Sequence, residues 1–263
     1  MHQKRILYED QDIIVCHKAA GIATQTSRVG QADMVSEIIN YLAGSKHGSV
    51  QHTPYVGVVH RLDQPVEGIL VFAKNKDAAA GLSRQITGNE TEKYYYAVVC
   101  GRNFRKEGKL EDYLSKDGRT NLSAVVLPEI KGAKRAVLQY EILTERVAVS
   151  ETFAKTEQED NGKECGGYRI ALARIRLYTG RHHQIRVQMS HAGMSLLGDY
   201  KYADAETVRI SELMHARKIA LCAYRLSLCH PRTGERMQFQ IRPEGSSFQM
   251  EEFVPYFEPE RRF

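Results

Sequence analysis

Residues 58–75, VVHRLDQPVEGILVFAKN, contain a polar loop between two apolar runs. Apolar, strand-like residues run to Val59, a polar loop follows, and Gly68 opens a second apolar run. Pro65 cannot sit inside a central ladder, and it pushes the residue before it toward extended geometry. Asp63 is therefore predicted to lie on a loop between two core strands, where a rigid scaffold usually presents chemistry.

An aspartate in such a loop has several possible roles. It can act as a nucleophile, a general base or a metal ligand, or it can cap a turn and pair with Arg61. A metal site requires further ligands nearby, and the only candidates close in sequence, His60 and Glu67, give little support for one. We predict no metal site.

The remaining pattern favours an α+β fold with a mixed, mostly antiparallel central sheet flanked by helices and loops, because strands outnumber helices and often follow one another directly. Two short strands are predicted within residues 5–18. Further strands are predicted at 56–60, 69–74, 93–100, 123–127, 136–143, 168–178, 221–229 and 236–242, and helices at 33–43 (capped by Asp33), 77–87 and 182–192. The polar stretch 151–167 is predicted to be a variable loop between two strands.

Length and composition exclude several classes of protein. The chain has 263 residues, 42% hydrophobic and 26% charged, which is typical of a globular protein and not of a disordered one. No apolar run reaches the roughly 18 residues of a membrane span, and the N-terminus lacks the apolar core of a secretion signal. The five cysteines are scattered without a C-x-x-C pair, which argues against zinc and for a reducing, cytoplasmic location.

The charge balance is +5, from 37 basic and 32 acidic residues, and it is unevenly distributed. Residues 165–198 contain five arginines and three histidines but no acidic residue. Such a basic stretch suits a phosphate-bearing partner, although a solvated arginine-rich strand would have the same composition.

The segment HRLD, followed by a glycine at position 68, resembles the catalytic loop H-R-L-D-x-x-T-S-G of the RluA-type pseudouridine synthases. Three other segments resemble that family in the same order. They are ILYEDQDIIVCHKAAG near the N-terminus, KYYYA with its following glycine, and TGRHHQIRVQMSHAGMSLLGDYKY over residues 179–202. Together they span nearly the whole chain.

The resemblance implies one pseudouridine synthase catalytic domain over residues 1–263 and the activity of an isomerase (an intramolecular transferase). Asp63 matches the catalytic aspartate, which acts covalently on the target uridine. Tyr95 matches the tyrosine that packs against the target base, whereas Tyr94 and Tyr96 should point to the opposite strand face. Arg186 matches the arginine that pairs with the aspartate and keeps it ionised.

The resemblance also implies structured RNA as the partner, with no cofactor, no metal and no membrane. Arg61 resembles the arginine that enters the RNA stack when the target base leaves it. Arg181, Lys93 and His183 are the other candidate RNA contacts, although His183 also suits packing or hydrogen bonding. Because adjacent helical residues diverge by about 100°, His182 and His183 are not expected to share a metal ion. Nothing argues for a dimer, so a monomer is expected.

The sequence departs from the family pattern at two places. Val66 and Glu67 stand where the family has Thr-Ser, and Glu67 is expected to add negative charge near an RNA-facing site. About five residues precede the first predicted strand, so we expect a short form without the small N-terminal RNA-binding domain of many relatives. The RNA should then be held mainly by Arg61 and residues 169–186.

The sequence therefore predicts an RNA pseudouridine synthase that acts on specific uridines of ribosomal or transfer RNA. Two alternatives remain open. One is a catalytically inactive relative that binds RNA, suggested by Val66 and Glu67. The other is a hydrolase that uses Asp63 and His60 on a nucleotide or sugar-phosphate.

Overall fold

The structure, a computed structural model, describes residues 5–26, 30–44, 53–148 and 167–257. The predicted variable loop lies outside the described residues, apart from Gly167. The chain divides into two compact units. The first comprises Met1–Lys93 with Cys222–Pro243, and the second Tyr94–Leu221 with Glu244–Phe263. The single catalytic domain over 1–263 stays a prediction.

Twelve strands and four α-helices are found within the described residues. The strands are β1 (Ile6–Glu9), β2 (Ile13–Lys18), β3 (Gly57–Val58), β4 (Glu67–Ala73), β5 (Glu92–Gly101), β6 (Glu107–Asp117), β7 (Leu122–Val126), β8 (Lys134–Val147), β9 (Arg169–Leu177), β10 (Ser195–Leu196), β11 (Leu221–Cys229) and β12 (Arg236–Gln240). The helices are α1 (Met34–Gly44), α2 (Lys76–Thr87), α3 (Gln184–His191) and α4 (Ala205–Leu213), and two short 3-10 turns follow at Ser246–Phe248 and Val254–Phe257.

In the first unit the strand order is β1-β2-β4-β11, with β3 beside β4 and β12 beside β11. Strand β11 runs parallel to the start of β4, with Cys222 opposite Glu67, and the other described pairings of this unit are antiparallel. Every residue of β2 and β4 is buried, so apolar side chains cover both faces of these strands. Helix α2 closes one face by burying Ala78 and Leu82 against this core.

In the second unit the strand order is β5-β9-β8-β6-β7, and β10 pairs with β5. Helix α3 packs through Val187 onto Leu114 of β6 and Ala136 of β8. The segment with the two 3-10 turns buries three phenylalanines, which are Phe248, Phe253 and Phe257. The contact of Val187 with β6 and β8 holds α3, and with it Arg186, against one face of the sheet.

The predicted α+β class with a mixed, mostly antiparallel arrangement is confirmed. Helix α1 follows Asp33 as expected, since Oδ1 of Asp33 accepts a hydrogen bond of 2.7 Å from the Ser36 amide. Strand β6 and helix α4 were not predicted. Helix α3 begins two residues later than predicted, at Gln184. No helix among the described residues is long and apolar enough to cross a membrane.

Candidate active site

The loop that carries Asp63 is held by the segment that follows strand β2. Lys18 at the end of β2 is fully buried, and its Nζ donates to the carbonyl oxygens of Ala19, Ile22 and Gln64 at 3.2, 2.7 and 3.1 Å. The amide of Gly21 donates to the same Gln64 carbonyl at 2.8 Å. The residue directly after Asp63 is therefore tied to a segment more than forty positions earlier in the chain.

Thr24 fixes the other side of Asp63. Its hydroxyl donates to the carbonyl oxygen of Leu62 at 3.0 Å and accepts from the Leu62 amide at 3.2 Å, and both residues are buried. The amide of Val66 donates to the Asp63 carbonyl at 3.0 Å and closes a turn. Along this loop Arg61 is exposed and Asp63 is half-buried, so both reach solvent from a backbone fixed on either side.

Gly68 allows strand β4 to begin immediately after this loop. Its φ of 142° lies in a region that residues with a side chain rarely adopt. A methyl group at this position would also collide with the backbone and Cβ of Ala223 in β11. The glycine is therefore required by both conformation and space.

Glu67 does not present its charge at the surface. It is 4% exposed, and Val66 is 2% exposed. Burial lowers the pKa of Lys18 to about 8, and the negative charges of Asp63 and Glu67 act to raise that pKa. Glu67 therefore carries its charge in the interior, within electrostatic reach of Lys18, and its expected effect on a nearby RNA-facing site stays a prediction.

His60 and Lys93 line a small cavity of the first unit together with Thr91. Nε2 of His60 accepts a hydrogen bond of 3.1 Å from the Val71 amide, so the proton of the neutral ring is on Nδ1. Burial, and then the positive charge of Lys93, lower the pKa of His60 to about 3. Burial also lowers the pKa of Lys93. His60 is therefore a neutral structural residue behind the loop.

Tyr95 lies in β5 of the second unit and is 7% exposed. The residues on either side, Tyr94 and Tyr96, each contact a different part of the second unit. Tyr94 packs under the guanidinium of Arg176, and the hydroxyl of Tyr96 donates to the Tyr256 carbonyl at 2.9 Å while its ring packs edge-on against Phe257. The predicted role of Tyr95 at a target base stays a prediction.

Arg186 lies in the middle of α3 and is 6% exposed. Its Nε and Nη2 donate to Oδ2 and Oδ1 of Asp199 at 2.8 and 2.6 Å, a bidentate pair that is buried on both sides. The guanidinium also lies over the ring of Tyr202, 5.0 Å from its centroid. Asp63 belongs to the first unit and Arg186 to the second, so the pairing of Arg186 with Asp63 stays a prediction.

The histidine pair before α3 differs from the prediction. His183 has φ 53° and precedes the helix, so the two side chains do not diverge as they would on a helix. The rings of His182 and His183 stack with centroids 3.7 Å apart. Their Nδ1 atoms bond the hydroxyls of Ser123 and Tyr202 at 2.8 and 2.6 Å. The packing and hydrogen-bonding role of His183 is confirmed, and its contact with RNA stays a prediction.

The basic stretch is partly neutralised within the second unit. Arg174 pairs with Glu141 at 2.6 Å, and Arg169 pairs with Glu145 at 3.2 Å. Arg181 is exposed, and its Nε donates to a backbone carbonyl at 2.9 Å. The acceptor of this bond is a neutral carbonyl and not a carboxylate. Arg181 is therefore less neutralised than these two paired arginines, and its contact with RNA stays a prediction.

One cluster of the first unit has the composition of a metal site. Ligand atoms of Asp10, Asp12 and His230 lie within 4.8 Å of one another. Oδ2 of Asp10 accepts from Tyr8 and from Nε2 of His230, at 2.9 and 2.8 Å, and Oδ1 of Asp12 accepts from Arg232 at 2.6 Å. Protein donors already engage these oxygens, so the cluster is explained as a structural network.

Four residues that hold the Asp63 loop or the Arg186 side chain were not singled out from the sequence. They are Lys18, Thr24, Asp199 and Tyr202. Asp199 and Tyr202 lie in the LGDYKY end of the family-like segment 179–202, so that segment was itself a signal for them. Lys18 belongs to the N-terminal motif, whereas Thr24 carries no signal that sequence reasoning could use.

Comparisons with known proteins agree with this architecture. The family model for RNA pseudouridylate synthase matches residues 12–191. A protein of Aquifex aeolicus named an uncharacterized RNA pseudouridine synthase is 30% identical over 240 residues, which cover 90% of this chain and 68% of the relative. The dual-specificity RNA pseudouridine synthase RluA of Vibrio parahaemolyticus is 28% identical, over 98% of this chain and 90% of its own length.

Several other curated relatives are longer, and the chain spans 57 to 67% of their length. The solved structure of human RNA pseudouridylate synthase domain containing 4 shares the fold, with a TM-score of 0.65 and 20% identity over 95% of this chain and 90% of that one. The chain therefore belongs to the RNA pseudouridylate synthase family, in its RluA-type branch, and is an isomerase of that class.

Proposed function

We propose that this chain converts specific uridines of structured ribosomal or transfer RNA to pseudouridine, with Asp63 as the catalytic carboxylate. In this isomerisation the bond from N1 to C1′ breaks, the uracil turns, and C5 bonds to C1′. The hydrogen on C5 leaves as a proton, and N1 takes up a proton. The observation that carries the proposal is the half-buried Asp63 on a loop that Lys18 and Thr24 hold from within.

The other site residues have distinct proposed roles. Tyr95 packs against the target base, and Arg186 keeps the Asp63 carboxylate ionised and oriented. The exposed Arg61 fills the gap that the target base leaves in the RNA stack, where its planar guanidinium can stack and contact phosphates. Arg181, Lys93 and His183 are the proposed further contacts with RNA.

The family relatives support RNA as the substrate. Relatives named ribosomal large subunit pseudouridine synthase D support ribosomal RNA as a target, and the name of the Vibrio relative, a dual-specificity enzyme, supports more than one kind of target. The four described cysteines are free thiols, which supports a cytoplasmic location. We propose that the protein works there as a monomer.

The direct test is tritium release from RNA that carries [5-³H]uridine, because formation of the C5 bond must expel that hydrogen. We expect release by the wild type and none by Asp63→Asn. Asp12→Asn is the matched control, since it removes a buried carboxylate of the same unit that the Arg232 network engages, and it should retain release. Absence of release from any host ribosomal or transfer RNA, with RNA binding intact, would favour the inactive RNA-binding relative.

That alternative is weakened by the burial of Val66 and Glu67. The substitutions that suggested it lie in the interior at the start of β4, so they place no charge on the exposed side of the loop. Restoring the family residues provides a second test. If the substitutions had abolished activity, Val66→Thr combined with Glu67→Ser would gain tritium release, whereas an active wild type should gain none.

A further inference from the structure

Asp199 contacts the edge of the Arg186 guanidinium in a way that fixes its plane. Two parallel hydrogen bonds, of 2.8 Å from Nε and 2.6 Å from Nη2, allow one orientation only. The side chains are 7% and 1% exposed, so water does not compete for these atoms. The contact uses one edge of the fork, and the Nη1 edge is directed away from Asp199.

The backbone around Asp199 is held in turn. Gly198 has φ 75°, and its amide donates to the Ser211 hydroxyl at 2.9 Å. The Asp199 amide donates to the Leu196 carbonyl at 3.1 Å, directly after strand β10. Oδ1 of Asp199 also accepts from the Lys201 amide at 3.1 Å. Asp199 is therefore anchored to the sheet and to α4 independently of Arg186.

Tyr202 contacts the face of the same guanidinium, 5.0 Å from centroid to Cζ. Its hydroxyl accepts from the Ser123 amide at 3.0 Å, so its own proton is available for Nδ1 of His183, 2.6 Å away. Burial, and then the nearby charge of Arg186, lower the pKa of His183 to about 3. Two hydrogen bonds thus fix the Tyr202 side chain at its hydroxyl group.

We propose that Asp199 and Tyr202 are positioning residues that hold the Arg186 guanidinium by its edge and its face, so that Arg186 keeps a single orientation for the catalytic role proposed for it. The expected effect of these two residues on catalysis rests on the proposed function. The clamp itself, defined as Asp199 and Tyr202, rests on the contacts above.

The physical reason for such a clamp is that one cation must serve two acceptors. A buried arginine needs a carboxylate partner, because an unpaired buried charge is strongly destabilising. If that partner were only the catalytic aspartate, the arginine would lose its orientation whenever the aspartate engaged the substrate. A second, permanent carboxylate, that of Asp199, keeps the guanidinium in place through the reaction cycle.

The clamp can be tested without activity. Arg186→Ala should leave a slot shaped for a guanidinium ion between Asp199 and Tyr202. We expect low-millimolar guanidinium chloride to raise the Tm of Arg186→Ala above its value in equal sodium chloride. The double variant Arg186→Ala with Asp199→Asn should show no such rise, and an equal response of both would overturn the clamp.

The catalytic consequence is measured by tritium release. Asp199→Asn should lower kcat about tenfold to a hundredfold while KM for RNA changes about twofold or less. In the Arg186→Lys background, Asp199→Asn should lower kcat little further, because the arginine through which Asp199 acts is gone. Additive losses would show that Asp199 acts only on stability and would overturn the positioning role. This double-mutant cycle of Asp199→Asn and Arg186→Lys still tests the positioning role if Arg186→Ala does not fold.

Asp204→Asn is the matched control. Asp204 lies five residues from Asp199 and caps α4 by accepting from the Thr207 amide at 2.9 Å. Its loss should lower Tm without lowering kcat. If the wild type releases no tritium but the guanidinium effect depends on Asp199, the proposed function fails and the clamp stands. If release depends on Asp63 but not on Asp199, the proposed function stands and the positioning role of Asp199 fails.

Discussion

The ammonium group of Lys18 donates a hydrogen bond of 3.1 Å to the carbonyl oxygen of Gln64, the residue that follows Asp63. The same oxygen accepts the Gly21 amide at 2.8 Å, so both of its lone pairs are used by the segment after strand β2. The candidate catalytic loop is thus fixed by a buried cation whose protons all go to backbone carbonyls, in addition to its own turn between Asp63 and Val66.

Replacing this cation should loosen the loop. We expect Lys18→Met to destabilise the fold by about 2 kcal/mol, because buried carbonyls lose their donor, and to lower tritium release. Lys74→Met is the control, since Lys74 donates to Glu9 and to a backbone carbonyl away from the loop. Both variants should lose stability in urea unfolding, and only Lys18→Met should lose turnover. Equal turnover in the two variants would contradict a role for Lys18 in holding the loop.

The Thr24 hydroxyl can be removed without changing side-chain shape. Thr24→Val leaves the buried amide and carbonyl of Leu62 without their partner, so we expect a loss of about 1–3 kcal/mol in unfolding free energy and a lower kcat. Thr24→Ser keeps the hydroxyl and should restore most of both. A serine variant as impaired as the valine variant would show that packing of the methyl group, and not the hydrogen bonds, matters here.

Two glycines of the first unit separate conformational strain from lack of space. Gly68 and Gly21 both have positive φ, at 142° and 99°, but only Gly68 has atoms of Ala223 where a methyl group would lie. Gly21→Ala should therefore cost about 1–2 kcal/mol, and Gly68→Ala clearly more. The two free energies of unfolding are compared by urea titration. Similar values would mean that strand β11 moves away readily from β4.

His60 should make the fold sensitive to acid. Its pKa is lowered to about 3 in the folded chain, from an ordinary value of 6.5. As pH falls below 6.5 the unfolded chain binds a proton that the folded chain does not, so stability falls toward pH 3. We expect His60 to contribute about 1–2 kcal/mol of loss between pH 6.5 and pH 5.

The urea midpoints of the wild type and His60→Gln at several pH values measure this contribution. The glutamine can still accept from the Val71 amide but does not titrate, so its midpoint should fall less steeply with acid. Parallel curves for the two proteins would rule out His60 as a source of the acid sensitivity.

Elements with a strong local signal were predicted well. Strand β11 has the predicted bounds, and α2 ends before Gly88 as expected, because apolar spacing and capping residues act within a few positions. Strand β6 was missed because its side chains are mostly polar and exposed, and pairing with β7 and β8 decides its conformation. Helix α3 starts late because His183 adopts a left-handed conformation that no residue propensity indicates.

The sequence by itself determined the family, most of the strands and helices, and the identity of Asp63, Tyr95 and Arg186 as candidates, because motifs and apolar spacing are local properties of the chain. Only the tertiary structure decided that Glu67 is buried, that Lys18 holds the loop at Gln64, and that Asp199 pairs with Arg186. These facts depend on which distant groups meet once water is excluded. Burial then requires every charge and carbonyl to find a partner, and no local pattern states which partner that is.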